Sequence, residues 1–151
     1  WVDLGPSFLP SALNAAYPWS QLEQIDDIQG KRKHIWDMYY NGLKESLPSE
    51  LRLPNIPNYA YNNGHMFYLL CPDLEYRTKF INYLKENEVQ TTFHYLPLHS
   101  SRYYIDKHDG RVLENCDYYA DCLVRLPLFY ELEDNDINRI INLIINFKIK
   151  F

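Results

Sequence analysis

A stripe of isoleucine near the C-terminal end of the sequence constrains the fold more than any other feature. Its members recur at spacings of three, one, three and one, so they share one face of an α-helix. Asp134 and Asp136 precede the stripe, where the dipole of a helix favours negative charge. A helix with one apolar face must pack on another layer. The stripe consists of Ile137, Ile140, Ile141, Ile144 and Ile145.

Helix-like and strand-like patterns alternate along the rest of the chain. Residues 66–71 form a short apolar run typical of a strand buried on both faces, and residues 89–95 alternate with the period of a strand. Ser11 should cap a helix over residues 12–16, and Pro18 should interrupt or kink this helix. The remaining predicted elements are helices over 28–47, 75–88 and 114–123, a strand over 124–126, and loops over 48–64 and 96–113.

This order predicts an α/β fold of the two-layer α+β kind, with a short sheet of about three strands covered by helices. The 151 residues are enough for one domain with a real core. The sequence shows no internal repeat and no low-complexity tract.

Composition excludes several classes of partner. The net charge of −5 and the pI near 5.5 argue against a nucleic-acid partner, whose binding surface would be basic. The apolar runs are far shorter than the about 20 residues that cross a bilayer, so we expect a soluble protein and no membrane partner. Three cysteines are too few for a disulfide framework, and we expect them to be packing residues in a cytoplasmic protein.

Three segments carry a resemblance to a known family. Trp1-Val2-Asp3-Leu4-Gly5 is followed by Ser7, Phe8 and Leu9-Pro10-Ser11; the second segment is Phe93-His94-Tyr95-Leu96-Pro97-Leu98-His99, and the third is Arg125-Leu126-Pro127-Leu128. Together these segments resemble the C-terminal part of the DegT/DnrJ/EryC1/StrS sugar-nucleotide aminotransferases. The sequence begins without Met and reads like an interior junction, so we expect a piece of a longer protein.

The resemblance implies a fold and a domain organisation. Residues 28–151 correspond to the small C-terminal domain of a fold-type-I aminotransferase dependent on pyridoxal 5′-phosphate (PLP). Residues 1–27 correspond to the junction from the large PLP-binding domain. In the family the lysine that holds PLP lies in that large domain, so no catalytic residue is expected in this chain, and the chain alone is expected to be inactive.

The resemblance also implies site residues. Ser7 stands where family members usually carry Asn, and it would reach the PLP phosphate of the partner subunit in a homodimer. His94, Tyr95 and His99 would line the substrate site and donate hydrogen bonds to sugar or phosphoryl oxygens. By strand alternation His94 should point away from Phe93 and Tyr95. Without the resemblance, His94 and His99 are ordinary hydrogen-bonded residues, and their spacing matches no common zinc pattern, so we expect no metal site.

The activity implied is transfer of an amino group from glutamate to C4 of a dTDP-4-keto-6-deoxyhexose, for cell-surface polysaccharide biosynthesis. Two alternatives remain open from the sequence. Some members of the family carry His in place of the cofactor-binding lysine and catalyse sugar 3-dehydration. The domain could also stand alone as a dimerisation or ligand-binding module, because the chain contains no self-contained catalytic set.

Overall fold

A three-stranded sheet lies at the centre of the structure, a computed structural model that describes residues 10–148. The strand that comes last in the sequence occupies the middle position, and both of its neighbours run antiparallel to it. The strands are β1 (Phe67–Leu70), β2 (Thr92–Phe93) and β3 (Leu123–Leu126), in the order β1-β3-β2.

Five α-helices alternate with these strands and confirm the mixed helix-and-sheet fold. They are α1 (Ala12–Leu22), α2 (Ile25–Leu43), α3 (Leu74–Glu86), α4 (Glu114–Cys122) and α5 (Asp134–Asn146), with a single 3₁₀ turn over Ile105–Lys107.

The isoleucine stripe of α5 forms the centre of the core. Four of its five members are buried, and they pack in one cluster with Ile35, Tyr39 and Leu43 of α2. Burying one such side chain contributes about 1.5–3 kcal/mol, so this helix pair supplies a large share of the stability. The predicted amphipathic helix is therefore confirmed.

The first helix differs from its prediction. Ser11 does cap α1, since its Oγ accepts a hydrogen bond from the Asn14 backbone N–H at 3.2 Å. Pro18, however, lies inside the helix and does not end it. The missing proline N–H removes one backbone bond, and the helix continues to Leu22. No residue of α1 is buried.

Strand β1 is buried on both faces, as predicted, except at Tyr68: Leu70, on the same side as Tyr68, is also buried. Phe67 and Leu69 point into the core and are fully buried. Tyr68 points to the opposite side and is only half-buried, opposite Arg125 in the register. The continuous apolar run hides this difference because tyrosine counts as apolar in the pattern.

Strand β2 is much shorter than the predicted strand over 89–95, because its partner is short. Thr92 pairs with Arg125, so extending the ladder backwards would place Gln90 opposite Pro127, which has no N–H to donate. Extending it forwards would place Tyr95 opposite the last residue of α4. Phe93 pairs with Val124 and therefore lies on the same side as the core, but at the edge of the sheet it remains 42% exposed, and Tyr95, beyond the end of the strand, is 74% exposed.

A turn before β1 joins the loop to the helical layer. Gly64 has a φ of +63°, and the side-chain oxygens of Asn62 and Asn63 accept bonds from the two following backbone N–H groups. A Cβ at Gly64 would lie 3.1 Å from the Arg32 carbonyl carbon of α2. The predicted turn is confirmed, and it packs directly against a helix backbone.

Two of the three cysteines are packing residues, as predicted. Cys71 and Cys122 are buried, while Cys116 is exposed on α4, which corrects the prediction for that residue. Burial raises the pKa of Cys71 to about 12. Within residues 10–148, no helix is both long and apolar enough to cross a membrane.

Candidate functional site

The side of the sheet opposite Phe67 and Val124 presents polar side chains at one end, whereas Leu70 and Leu123 at its other end are buried. Tyr68, Arg125 and Thr92 are neighbours across the three strands, and residues directly opposite in an antiparallel pair point to the same side. We call this side the open face and the side bearing Phe67 and Val124 the core face. The polar end of the open face is the part of the sheet available to a ligand.

His94 and Tyr95 lie where β2 ends beside the open face. Their ring centroids are 4.7 Å apart at an interplanar angle of 58°. Together with Arg125, Phe93 and the adjoining residues they line a concavity of about 530 Å³. This concavity, the His94 concavity, is the candidate site.

The neighbouring rings of His94 and Tyr95 correct the expectation that the two residues point in opposite directions. Strict alternation requires a continuing strand, and β2 ends at Phe93. Beyond that residue the backbone is free to turn, which brings an imidazole and a phenol to the same concavity.

The environment of His94 favours the neutral imidazole. Burial lowers the pKa of His94 below its ordinary value, and the positive charges of Arg125 and His65 lower it further. Nδ1 of His94 is buried and has no hydrogen-bond partner among the described residues. A neutral imidazole with an unused ring nitrogen can accept or donate one hydrogen bond to a ligand oxygen or hydroxyl.

His99 is held elsewhere. Its Nε2 lies 2.9 Å from Asp117 Oδ1 of α4, and its ring lies 5.3 Å from that of His108. It does not line the concavity that contains His94 and Tyr95. The structure therefore brings together two of the three predicted substrate residues, and the third connects the loop to α4.

The His99–His108 pair does not form a metal site. Nδ1 of His108 accepts a bond from the Gly110 backbone N–H at 3.2 Å, and Nε2 lies 3.6 Å from an Asp109 oxygen, too far for a hydrogen bond. Within residues 10–148, no group of three or more histidine, cysteine or acidic side chains is placed to hold a metal ion.

Three lysines of the described residues lie at the surface. Ser7, the residue predicted to reach the cofactor phosphate, lies outside the described residues. Lys79 is paired with Glu75 at 2.7 Å, Lys85 is exposed, and the Lys107 ammonium lies 3.3 Å from the centroid of the Tyr103 ring. All three lysines are exposed.

Arg125 lines the candidate site, although the sequence pattern assigns its segment only to a strand with core leucines. A guanidinium between Val124 and Leu126 in a four-residue apolar strand is itself a signal, because one face of that strand must then be open to solvent or ligand.

Comparisons with known proteins agree with the fold. A sequence model described as the DegT/DnrJ/EryC1/StrS aminotransferase family matches residues 4–145. DesV from S. venezuelae superimposes with a TM-score of 0.79 at 24% identity, covering 88% of this chain and 35% of its own. Helicobacter pylori PseC, an aminotransferase involved in pseudoaminic acid biosynthesis, gives 0.78 at 16% identity, covering 95% and 38%.

A third structure shows the same relationship. The sugar aminotransferase CalS13 from Micromonospora echinospora gives a TM-score of 0.71 at 20% identity and covers 93% of this chain and 36% of its own. This chain thus spans about a third of the length of the solved structures that it matches. The likeness establishes that the fold corresponds to part of a fold-type-I aminotransferase.

Proposed function

The chain belongs to the DegT/DnrJ/EryC1/StrS aminotransferase family, and from that membership we propose that it is the C-terminal part of a PLP-dependent sugar-nucleotide aminotransferase. The proposed reaction transfers an amino group from glutamate to C4 of a dTDP-4-keto-6-deoxyhexose. The product would be dTDP-4-amino-4,6-dideoxygalactose, used for cell-surface polysaccharides. The support for this product is Ser7: family members usually carry Asn at this position, and this chain resembles the dideoxygalactose transaminases in carrying Ser.

The observation that carries the proposal is the His94 concavity. His94 and Tyr95 emerge where a strand stops, on the open face, and form a polar corner with Arg125. A neutral imidazole and a phenol can each donate one hydrogen bond and accept another, which suits the hydroxyl oxygens of a sugar. We propose that His94 and Tyr95 orient the sugar.

PLP, when bound in the parent protein, supplies an electron sink at the carbon that gains or loses the amino group. The residues described here would act on the substrate rather than on the cofactor: His94 and Tyr95 hold sugar oxygens, and the concavity limits how the sugar can lie. We propose that Ser7 donates its hydroxyl to the cofactor phosphate across a homodimer interface. His99, bonded to Asp117, would position the loop that carries it.

The proposal is tested in the complete protein that carries this chain. With PLP, glutamate and a dTDP-4-keto-6-deoxyhexose, we expect 2-oxoglutarate to form in step with the amino sugar. Loss of a sugar hydroxyl without glutamate consumption would instead establish the 3-dehydratase activity. Binding of a sugar nucleotide without either product would favour the ligand-binding module.

Variants then test the residue roles. His94→Gln and Tyr95→Phe should each reduce kcat/KM by about 10- to 100-fold, the loss expected when one or two substrate hydrogen bonds are removed. His34→Gln is the matched control, because His34 is exposed on α2 and contacts Asp134 at 3.0 Å, away from the concavity. Equal activity of the His94 and His34 variants would refute the proposed role of His94.

A further inference from the structure

Arg125 is a half-buried arginine without a partner, whereas Arg102, which also makes no ion pair or side-chain hydrogen bond within residues 10–148, is exposed. Among the same residues Arg125 has neither an ion pair nor a side-chain hydrogen bond, although it lies on the central strand. Five other arginines contact a carbonyl, a hydroxyl or a carboxylate: Arg32, Arg52, Arg77, Arg111 and Arg139. A partly desolvated guanidinium without an acceptor is unfavourable, so Arg125 has donors available to a ligand.

Acidic side chains are distributed unevenly around Arg125. The residues lining the His94 concavity include no aspartate or glutamate. Glu88 and Asp136 border a neighbouring groove that Arg125 also reaches, and neither forms an ion pair with it. The charges of Arg125 and of His65 both disfavour the protonated form of His94. The concavity itself therefore carries no acidic side chain that would neutralise Arg125.

We propose that Arg125 and His94 form an oxyanion-binding subsite, with Tyr95 at its rim. The guanidinium offers a planar fork of N–H donors, which matches two oxygens of a phosphoryl or carboxylate group. Nδ1 of His94, buried and without a partner, is a second polar group beside that fork. Thr92, opposite Arg125 on the exposed edge strand, leaves that edge unobstructed.

The bound oxyanion could come from either of two substrates. In the proposed reaction these are a phosphoryl group of the nucleotide sugar and a carboxylate of the amino donor, and this assignment rests on the proposed function. The subsite itself does not, because an inorganic oxyanion requires only the guanidinium and the imidazole. The experiment therefore uses simple anions and no turnover.

The test titrates the 151-residue chain separately with inorganic pyrophosphate and with glutarate, by isothermal calorimetry and by the His94 Cε1–H resonance assigned with His94→Gln. We expect pyrophosphate or glutarate to bind and to move this resonance. Arg125→Gln should weaken binding at least about tenfold, the loss expected for one charge-assisted contact, and Arg125→Lys should give an intermediate value. Arg111→Gln makes the same change of charge in the loop and should leave the affinity unchanged.

The anion that binds identifies the source. Preference for pyrophosphate assigns the site to the nucleotide sugar, and preference for glutarate assigns it to the amino donor. Binding that Arg125→Gln leaves intact, or no binding of either anion at millimolar concentration, would overturn the proposal. The thermal midpoint of each variant, measured in parallel, shows whether the strand still folds, and Arg125→Lys gives the answer if the glutamine variant does not. Failure of turnover in the parent protein would leave an observed anion site standing.

Discussion

The two sides of the sheet are built on different principles. On the core face, Phe67, Leu69 and Val124 are completely enclosed by the helices, and the buried residues of the described chain include no charged side chain. On the open face, Arg125 is half-buried without a counter-charge, and the segment after β2 leaves Tyr95 mostly exposed. Excluding water from the core face stabilises the fold, whereas the polar end of the open face keeps the donors of Arg125 available to a ligand.

The difference separates stability from recognition within a sheet of only three strands. Adjacent residues such as Val124 and Arg125 belong to opposite sides because side chains alternate along a strand. Substitutions on the core face should therefore change the free energy of unfolding, while substitutions on the open face should change ligand binding. Variants on each face measure how far stability and ligand binding are separated in this sheet.

The largest effect is expected from Phe67→Ala. The Phe67 ring is fully buried, 5.1 Å from the Tyr39 ring and 5.3 Å from the Trp36 ring. Removing it leaves a cavity in the core, so the free energy of unfolding should fall by about 3–5 kcal/mol. Urea denaturation measures this loss. Tyr61→Ala, at a fully exposed aromatic, is the control and should change stability by less than about 0.5 kcal/mol.

Substitutions at Gly64 and Gly110, two glycines of similar backbone conformation, allow the turn packed against α2 to be compared with the exposed loop before α4. Gly64 has a φ of +63° and Gly110 has a φ of +79°. Alanine at either position costs about 1–2 kcal/mol for the left-handed conformation. At Gly64 the new Cβ would also lie 3.1–3.2 Å from the backbone of Arg32 and Lys33, whereas at Gly110 nothing lies within 4 Å.

Gly64→Ala should therefore lower the free energy of unfolding by about 1–2 kcal/mol more than Gly110→Ala, since the helix backbone cannot move away freely. Thermal denaturation of both variants under the same conditions measures this difference. Equal losses of unfolding free energy would show that the backbone around Gly64 adjusts to a new Cβ as readily as the loop around Gly110. The turn at Gly64 would then be less tightly packed than the structure indicates.

A smaller effect is expected from Asp117→Asn. The contact of His99 with Asp117, at 2.9 Å, joins the loop to α4, and both side chains are partly exposed, so the loss in global stability should stay below about 1 kcal/mol. Backbone amides of residues 98–108 should nevertheless exchange faster with deuterium, because the loop opens locally. Asp121→Asn, on the same helix, is the control. Uniformly faster exchange across the whole chain would show that this contact supports the core instead.

The smallest effect on stability, but a clear one on reactivity, concerns the thiols. Cys116 is exposed, whereas Cys71 and Cys122 are buried on the core side of the chain. Burial raises the pKa of Cys71 to about 12, so this thiol stays protonated as the pH rises from 8 to 10. Burial also raises the pKa of Cys122 and keeps its thiol from the reagent. A thiol reagent should label one cysteine in the native protein and three in urea. Rapid native labelling in Cys116→Ser would contradict this.

The sequence predicted the elements that depend on local pattern. The isoleucine stripe specified α5, and the alternation of helix and strand patterns specified a small covered sheet, because burial repeats with the period of each element. The prediction over-extended β2 because the length of an edge strand depends on its partner. Pro127 and the end of α4 limit β2, and both lie about 30 residues away in sequence.

The candidate site was predictable only in part. The resemblance identified His94 and Tyr95, and the structure brings their rings together. The contact of His99 with Asp117 depends on how the loop folds back on α4, which no spacing in the sequence reveals. Arg125 was missed because it reaches the concavity through strand pairing with Thr92, a contact between residues 33 positions apart.

The middle position of β3 has a consequence for the order of folding. A growing chain makes β1 and β2 well before Leu123–Leu126, the only segment that hydrogen-bonds to both within the described residues. Neither edge can therefore complete its ladder until most of the chain has been synthesised, and the loops to be closed are long. During that interval the apolar residues of β1 have no sheet to join. This interval, rather than the finished fold, is when the protein most needs protection from aggregation.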